Sequence, residues 1–339
     1  MAPNKPHRLD TLITVGDPCG VGPELLVALL GRENPPTETR FKILAPMEFF
    51  EGVCDHLAAI DSHWLHRVDR FWAGRGDRFS FVEEVESPLR YRPGEWLEKN
   101  VPFVESSLRL GTTEAVSTGA PLVTGPVDKR SFIAMGFPES GHTEFLAKAS
   151  GGRDPVMLFD SPEVRVVILT RHIPVSRVES KVSRSLLEQG VRVVDSFKRR
   201  LAGRIDGYDG PMALVGLDPH CGEWGHITGT DLKVRGWVED LKRSGVDLQG
   251  PFPADTLFTP DKVKGYSVIF CWYHDQGMIP VKLLAFRGAV NVTLGLPLVR
   301  TSPAHGTAFD IAGQGIALED SVERAIAVAG ALAFRPVHS

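Results

Sequence analysis

The stretch TLITVGDPCGVGPELLVALLG, Thr11 to Gly31, decides the fold class of this chain. TLITVG is mostly apolar, which predicts a buried strand over 11–16. A turn rich in glycine and proline follows, and PELLVALLG predicts a helix with Pro23 in its first turn. Glu24 complements the positive end of the helix dipole. A strand that leads directly into a helix is typical of an α/β fold.

The same alternation continues along the chain. Further strands are predicted at 41–46, 120–126, 164–170, 211–217, 266–273 and 289–295. Helices are predicted at about 96–116, 183–202, 230–243 and 321–333. Residues 70–95 are rich in loop-forming residues and give no clear element. Strands that alternate with helices predict a largely parallel sheet.

Composition limits the class of protein. A chain of 339 residues forms two domains or one large one, and its net charge of −4 gives no basic surplus for nucleic acid. The four cysteines form no CxxC pair, which favours a reducing compartment over a disulfide framework or a thiolate zinc site. The polar N-terminus does not resemble a signal peptide, and the apolar runs are too short to span a membrane. We therefore expect a cytoplasmic protein.

The glycine-rich turn GDPCGVGPE, residues 16–24, could bind an anion through its backbone N–H groups. Its glycines lie at 16, 20 and 22, so it is not the GxGxxG dinucleotide motif. A purely structural tight turn is the alternative, and the sequence leaves both open.

Three histidines share one placement. His172, His220 and His274 each follow the carboxyl end of an apolar strand by one to three residues. Ligands bind at that edge of open parallel sheets, and neutral imidazoles are good ligands for divalent transition metals. Three protein ligands leave a position for substrate, as in catalytic metal sites. The alternative is that each histidine is a hydrogen-bonded loop residue.

Other polar residues lie near the predicted strand ends. SGHTEF, 140–145, offers Ser140, His142 and Thr143 in a turn that suits an anion. The same turn also predicts a helix start, with Thr143 as N-cap and Glu144 in the first turn, and the two roles are compatible.

Lys129 follows the strand at 120–126, and Lys282, Asn291 and Arg300 follow one another at intervals of nine. A lysine, an amide and an arginine suit a phosphate group. Scattered surface cations are the alternative.

Several motifs together resemble one family. ITVGDPCGVGPE, VTGPVDK, SGHTEFLA, DPHCGEWG, GPFPADTLF, YHDQGMIPVK, VNVTLGLPLVRTS and HGTAFDIAG occur in the order typical of the 4-hydroxythreonine-4-phosphate dehydrogenases. The resemblance covers about residues 11 to 335. It implies a homodimer whose subunits have two α/β domains and a central cleft, related to isocitrate and isopropylmalate dehydrogenases. We expect 1–128 with 303–339 as one domain and 129–302 as the other.

The resemblance also implies roles for individual residues. The implied metal ligands are His172, His220 and His274, the last from the partner subunit. The implied substrate-binding residues are His142, Thr143, Lys282, Asn291 and Arg300. Asp255 is the implied acidic residue of the active site, and Asp255 and Lys282 are both possible proton acceptors. The implied cofactors are NAD or NADP and one divalent metal, Zn, Co, Mn or Mg; no residue is assigned to the nucleotide.

The implied reaction oxidises 4-phosphooxy-L-threonine to 2-amino-3-oxo-4-phosphooxybutanoate, which decarboxylates to 3-amino-2-oxopropyl phosphate on the pyridoxine 5'-phosphate pathway. Asp218, Cys221 and Ala304 stand where the family usually has Asn, Ala and Asp. A related enzyme that oxidises threonate or erythronate 4-phosphate is therefore an alternative. A three-histidine hydrolase and a non-catalytic binding protein are the others.

Overall fold

The computed structural model divides into two compact units. The first comprises the described residues up to Pro155 and from Leu296 onward, and the second runs from Val156 to Gly295. The structure describes residues 10–36, 39–88, 91–137, 141–152, 154–201, 203, 205–285 and 288–333. Among these residues no helix has the length and apolar character needed to cross a membrane. The sequence-based boundaries at 129 and 302 stay a prediction.

Short strands and helices alternate through both units. The strands are β1 (Thr11–Thr14), β2 (Phe41–Ile43), β3 (Phe79–Phe81), β4 (Leu122–Thr124), β5 (Val156–Asp160), β6 (Arg165–Ile168), β7 (Met212–Val215), β8 (Leu248–Phe252), β9 (Val268–Cys271), β10 (Val290–Leu294) and β11 (Arg300–Pro303). The α-helices are α1 (Gly22–Leu30), α2 (Met47–Ala58), α3 (Ser62–Ala73), α4 (Val101–Thr118), α5 (Lys129–Ala134), α6 (His142–Ser150), α7 (Arg184–Leu201), α8 (Thr230–Arg243), α9 (Ala254–Leu257), α10 (Pro260–Val263), α11 (His274–Leu284) and α12 (Asp320–Ala333). Short 3₁₀-type segments lie at Glu98–Asn100, Val175–Arg177, Glu179–Lys181 and Pro219–Gly225.

In the first unit the strands pair in the order β3-β2-β1-β4-β11. Each of these pairs is parallel, as the opening stretch of the sequence predicts. Every residue of α1 is buried, which explains why this helix is apolar on all sides. Glu24 is buried with it and accepts a hydrogen bond from the backbone N–H of Gly313. A backbone partner therefore satisfies one oxygen of this carboxylate, whereas Oε1 is buried without a hydrogen-bond partner.

The turn after β1 packs closely against the turn after β4. Gly16 has a φ of 79°, and a Cβ there would lie 2.1 Å from the carbonyl oxygen of Pro126. Only glycine fits this position, because it has neither the Cβ nor the penalty for a left-handed backbone. The amide of Asp17 donates to the same carbonyl at 2.9 Å.

In the second unit the strands pair in the order β10-β5-β6-β9-β7-β8. β5 runs antiparallel to both β10 and β6, and the remaining pairs are parallel. The α/β class and the largely parallel sheet are therefore confirmed. β3, β5, β8 and β11 were not predicted, and β8 contains Gly250 and Pro251, which usually interrupt strands.

Candidate functional site

Three neighbouring strands of the second unit place the three histidines at one edge of its sheet. β9 pairs in parallel with β6 on one side and with β7 on the other. Because the strands are parallel and adjacent, their carboxyl ends lie together. His172 follows β6, His220 follows β7 and His274 begins α11 after β9. The sequence predicted strand ends before each histidine, and the structure adds that the strands are neighbours.

Two of these histidines face each other within one chain. The ring centroids of His172 and His274 are 5.7 Å apart. His274 Nδ1 lies 2.8 Å from Asp275 Oδ1, and a neutral ring that donates this proton keeps Nε2 free as a ligand atom. All three histidines are exposed. Within the residues that the structure describes, no three His, Cys, Asp or Glu side chains form a group that could hold a metal ion.

A pocket of about 630 Å³ opens at the same edge of the second unit. Its apolar side includes Phe258, Ile279 and Leu283. Its polar lining consists of Asp218, His220, Asp255, Tyr273, Asp275 and Gln276. A largely apolar cavity with a few convergent polar groups is the usual form of a small-molecule site.

The donor chemistry of this edge fits a divalent metal. Histidines commonly bind transition metals, and a carboxylate often accepts a hydrogen bond from the ligand ring, as Asp275 can from His274. His220 lies at the neighbouring strand end, in the pocket. The sequence resemblance implies that His172 and His220 of one chain are joined at the metal by His274 of a second chain.

The first unit holds a buried cation at β11. Arg300 is 1% exposed and donates from Nε and Nη2 to Thr124 Oγ1, at 3.0 and 2.6 Å. Burial lowers the pKa of Arg300 to about 9, so the guanidinium stays charged at neutral pH. Burial, and then the charge of Arg300, hold the pKa of His142 well below its usual range. The Nε2 atom of His142 is buried without a hydrogen-bond partner. A neutral imidazole beside a cation suits an anionic ligand.

The GHTEF segment does begin a helix, but its cap differs from the sequence prediction. Gly141 is the N-cap of α6, and Glu144 Oε2 accepts a hydrogen bond from the amide of Gly141 at 3.1 Å. Thr143 is 3% exposed inside the first turn, so its assignment as N-cap was wrong. Glycine is among the residues tolerated at the N-cap, although it has no side chain to accept a hydrogen bond from the first helical turn. Ser140 lies outside the described residues.

The glycine-rich turn at 16–24 uses its N–H groups internally. The amides of Asp17, Gly20 and Val21 donate to backbone carbonyls of Pro126, Asp17 and Thr307. These donors are therefore engaged within the protein, which favours the structural alternative for the turn.

The remaining predicted residues lie on separate elements. Lys282 is half-buried near the end of α11, and Lys129 is exposed at the first position of α5. Asn291 lies in β10, and its Oδ1 atom is buried without a hydrogen-bond partner. The structure does not itself assign a ligand to any of them.

Asp17, Asp218 and Tyr273 are polar residues at strand ends that sequence reasoning did not include among the site residues. Asp218 and Tyr273 line the pocket, and each stands within two residues of a predicted metal ligand. Asp17 is 2% exposed in the turn after β1. Their position directly after apolar strands was the available signal.

Comparison with known proteins gives a consistent result. The sequence profile of one family, described as Pyridoxal phosphate biosynthetic protein PdxA, matches residues 65–329. A 4-hydroxythreonine-4-phosphate dehydrogenase of Xanthobacter autotrophicus is 45% identical, over 95% of this chain and 93% of its own length. The protein of the same name from Paracoccus denitrificans is 37% identical, over 96% of this chain and 98% of its own.

Among solved structures, a 4-hydroxythreonine-4-phosphate dehydrogenase from Klebsiella pneumoniae matches with a TM-score of 0.78 and 27% identity. The match covers 97% of this chain and 99% of that one. The similarity therefore extends over both units and is not limited to single motifs.

Proposed function

Because the chain belongs to the PdxA family of pyridoxal phosphate biosynthetic proteins and is a dehydrogenase, we propose that it oxidises 4-phosphooxy-L-threonine with NAD or NADP. The oxidation removes the C3 hydride and the hydroxyl proton and gives 2-amino-3-oxo-4-phosphooxybutanoate. The carbonyl β to the carboxylate stabilises the electron pair left by CO2 loss, so 3-amino-2-oxopropyl phosphate follows. The relatives named above carry the same activity in their names.

One observation carries this proposal: the strands that precede His172, His220 and His274 are neighbours and end at the same edge of the sheet. We assign these three residues to a divalent metal, Zn, Co, Mn or Mg. When bound, such a metal acts as a Lewis acid that lowers the pKa of a coordinated hydroxyl. Asp275 would orient the His274 ring through its Nδ1 contact.

We favour Asp255 over Lys282 as the acceptor of the hydroxyl proton. Asp255 is exposed and lines the pocket together with His220, and this supports its assignment as the general base. Lys282 is half-buried on α11 and is not part of that lining. We assign substrate binding to His142, Thr143, Lys282, Asn291 and Arg300.

We also propose a homodimer with metal sites shared between subunits. Ile279 and Leu283 on α11 are 58% and 80% exposed, beside the pocket and on the helix that His274 begins. Exposed apolar side chains on one helix face are typical of surfaces that a partner covers. A second copy of the chain is the partner we propose.

A cytoplasmic location is part of the same proposal. Cys19, Cys54, Cys221 and Cys271 are all buried free thiols. Unpaired cysteines are typical of reducing compartments, where nicotinamide-linked biosynthesis also takes place.

The pocket favours an amino acid substrate over the alternative hydroxy acids. Asp218, at a position where the family usually has Asn, adds a carboxylate to a pocket that already contains Asp255 and Asp275. Negative charge attracts the ammonium group of 4-phosphooxy-L-threonine, which threonate 4-phosphate and erythronate 4-phosphate lack.

A coupled absorbance screen tests the proposal. The three phosphorylated compounds are each supplied with NAD or NADP and with several divalent metals, and reduced nicotinamide is followed. We expect turnover with 4-phosphooxy-L-threonine to exceed turnover with the other two. Greater turnover of erythronate or threonate 4-phosphate would reassign the substrate, and substrate loss without reduced nicotinamide would indicate a hydrolase.

A further inference from the structure

The segment that carries His220 has an unusual backbone. From His220 to Trp224 five consecutive residues lie in the left-handed region, with φ values between 45° and 72°. Only Gly222 among them lacks a Cβ. A left-handed run of this kind persists only where surrounding contacts hold it in place, and such runs concentrate at functional sites. The contacts that hold this one are therefore informative.

The carboxylate of Asp231 on α8 holds the segment that leads into this run. Asp231 is 1% exposed. Its Oδ1 accepts the backbone N–H of Leu217 and its Oδ2 that of Asp218, both at 2.9 Å. Both oxygens are thus bonded to the two residues that lead from β7 to the left-handed run. The hydroxyl of Thr228 in turn donates to the Asp218 carboxylate.

A second contact joins the ends of β7 and β9. Gln276 Oε1 accepts the backbone N–H of Trp272 at 2.8 Å, and its Nε2 donates to the carbonyl oxygen of Gly216 at 2.7 Å. Trp272 lies just after β9 and two residues before His274, and Gly216 directly follows β7. One amide side chain therefore connects the strand ends that carry two of the three histidines, and it uses both its acceptor and its donor to do so.

We infer that Asp231 and Gln276 are positioning residues: Asp231 fixes the segment that leads to His220, and Gln276 ties together the strand ends that precede His220 and His274. Each chain would then present both ligands in a set geometry, one to each of the two shared metal sites. Gln276 lines the pocket, but both polar atoms of its amide are bonded to the backbone, and neither side chain is assigned a contact with the substrate. They act through backbone groups on either side of the pocket, and all their contacts lie within the second unit. Groups that orient metal ligands commonly change metal affinity or activity by about tenfold to a hundredfold when they are altered. The inference rests on the proposed metal-binding function of the histidines.

The variants that test it keep the shape of each side chain. Asp231→Asn retains one acceptor and turns an NH2 group toward a backbone N–H. Gln276→Met loses both the acceptor for Trp272 and the donor to Gly216 without adding a charge to the pocket. Asp240→Asn is the matched control, because Asp240 is on the same helix and its carboxylate forms surface ion pairs with Arg184 and Arg243.

The readout is Co²⁺ binding to the metal-free full-length protein, followed through the visible absorption of the bound ion, together with kcat/KM and thermal unfolding. We expect both variants to bind Co²⁺ about tenfold to a hundredfold more weakly than wild type and to lose kcat/KM to a similar degree. The Asp240 variant should match wild type. If Asp231→Asn does not fold, Gln276→Met alone decides.

Each other outcome has a definite meaning. Variants that unfold at lower temperature but bind Co²⁺ as tightly as wild type would assign the two residues a structural role only and overturn the inference. That result would leave the proposed function intact. A wild-type protein that binds no Co²⁺ would overturn the proposed metal site, and the positioning claim with it.

Discussion

Relative to wild type, the Asp17→Asn variant should gain stability as pH rises. Asp17 is 2% exposed, and its carboxylate accepts the backbone N–H of Asp128 at 2.6 Å. Burial, the largest influence, raises the pKa of Asp17 from its ordinary value of 3.8 to about 6. The Asp128 charge raises it further, whereas the Asp128 N–H lowers it. The folded state therefore favours the protonated acid.

The sign and size of the effect follow from linkage. A carboxyl whose folded pKa is raised contributes stability that is fully present below its unfolded pKa and is lost as pH rises through the folded pKa. A shift of about 2 units corresponds to about 3 kcal/mol, of which about 2 kcal/mol falls between about pH 4.5 and about pH 7.5. Asparagine carries no charge and can still accept the Asp128 N–H. The stability of Asp17→Asn relative to wild type should rise by that amount across this range.

Urea unfolding at both pH values measures this difference. The free energies of unfolding can be compared if their dependence on urea concentration is the same for the variant and the wild type. Glu319→Gln is the opposite-sign control. Burial raises the pKa of Glu319, but its hydrogen bond with Arg32 and the charges of Arg32 and Arg67 outweigh burial and hold that pKa below its usual range. That variant should be less stable than wild type at neutral pH, and the difference should shrink as pH falls. If the difference between Asp17→Asn and wild type is the same at both pH values, the carboxylate is not buried as described and the reasoning is refuted.

Three further predictions concern the site. A chelator should abolish production of reduced nicotinamide, and Zn, Co, Mn or Mg should restore at least part of it; full activity of metal-free enzyme would remove the metal from the mechanism. Arg300→Met should lower kcat/KM for phosphorylated substrate about tenfold or more, since a hydrogen bond to a charged group contributes about 1.5–3 kcal/mol. If the variant prefers phosphorylated over dephosphorylated substrate as strongly as wild type does, Arg300 is excluded as the phosphate ligand. Asp275→Asn should weaken Co²⁺ binding about tenfold to a hundredfold, because an amide can donate to His274 Nδ1 and favour the wrong tautomer; unchanged binding would show that Asp275 does not orient the ring.

Local sequence patterns predicted much of the fold because its strands are short apolar runs bounded by turns. The opening strand and helix, and the strands before His172, His220 and His274, are examples. β8 was missed because Gly250 and Pro251 indicate a turn, whereas the strand lies at the edge of its sheet, where such residues are tolerated. The neighbour relation of β6, β9 and β7 depends on contacts distant in sequence and could not be predicted from local patterns.

The candidate site, too, could be predicted only in part from local sequence. The type and placement of the three histidines predicted a ligand edge, yet the left-handed backbone after Pro219 has four residues with a Cβ and gives no local signal. The contact of Gln276 with Gly216 spans 60 residues, so the sequence alone could not show it. The cap of α6 was misassigned because the hydroxyl of Thr143 can accept a hydrogen bond at a helix start, whereas here Gly141 takes the N-cap position.

The central claim is that His172, His220 and His274 serve one metal centre built between two chains. The measurement is the activity recovered when pairs of inactive alanine variants are unfolded, mixed and refolded together. If His274 comes from the partner subunit, His172→Ala mixed with His274→Ala should recover about one quarter of wild-type activity, because half of the dimers are mixed and each has one intact site. His172→Ala mixed with His220→Ala should then recover none.

The His172 and His274 rings face each other within one chain, which makes the comparison of the two mixtures decisive. Recovery only in the mixture of the His172 and His220 variants would make His220 the residue that crosses between subunits. The account predicts recovery in the mixture of the His172 and His274 variants. Absence of recovery in every pairwise mixture would place all ligands in a single chain and contradict the shared site.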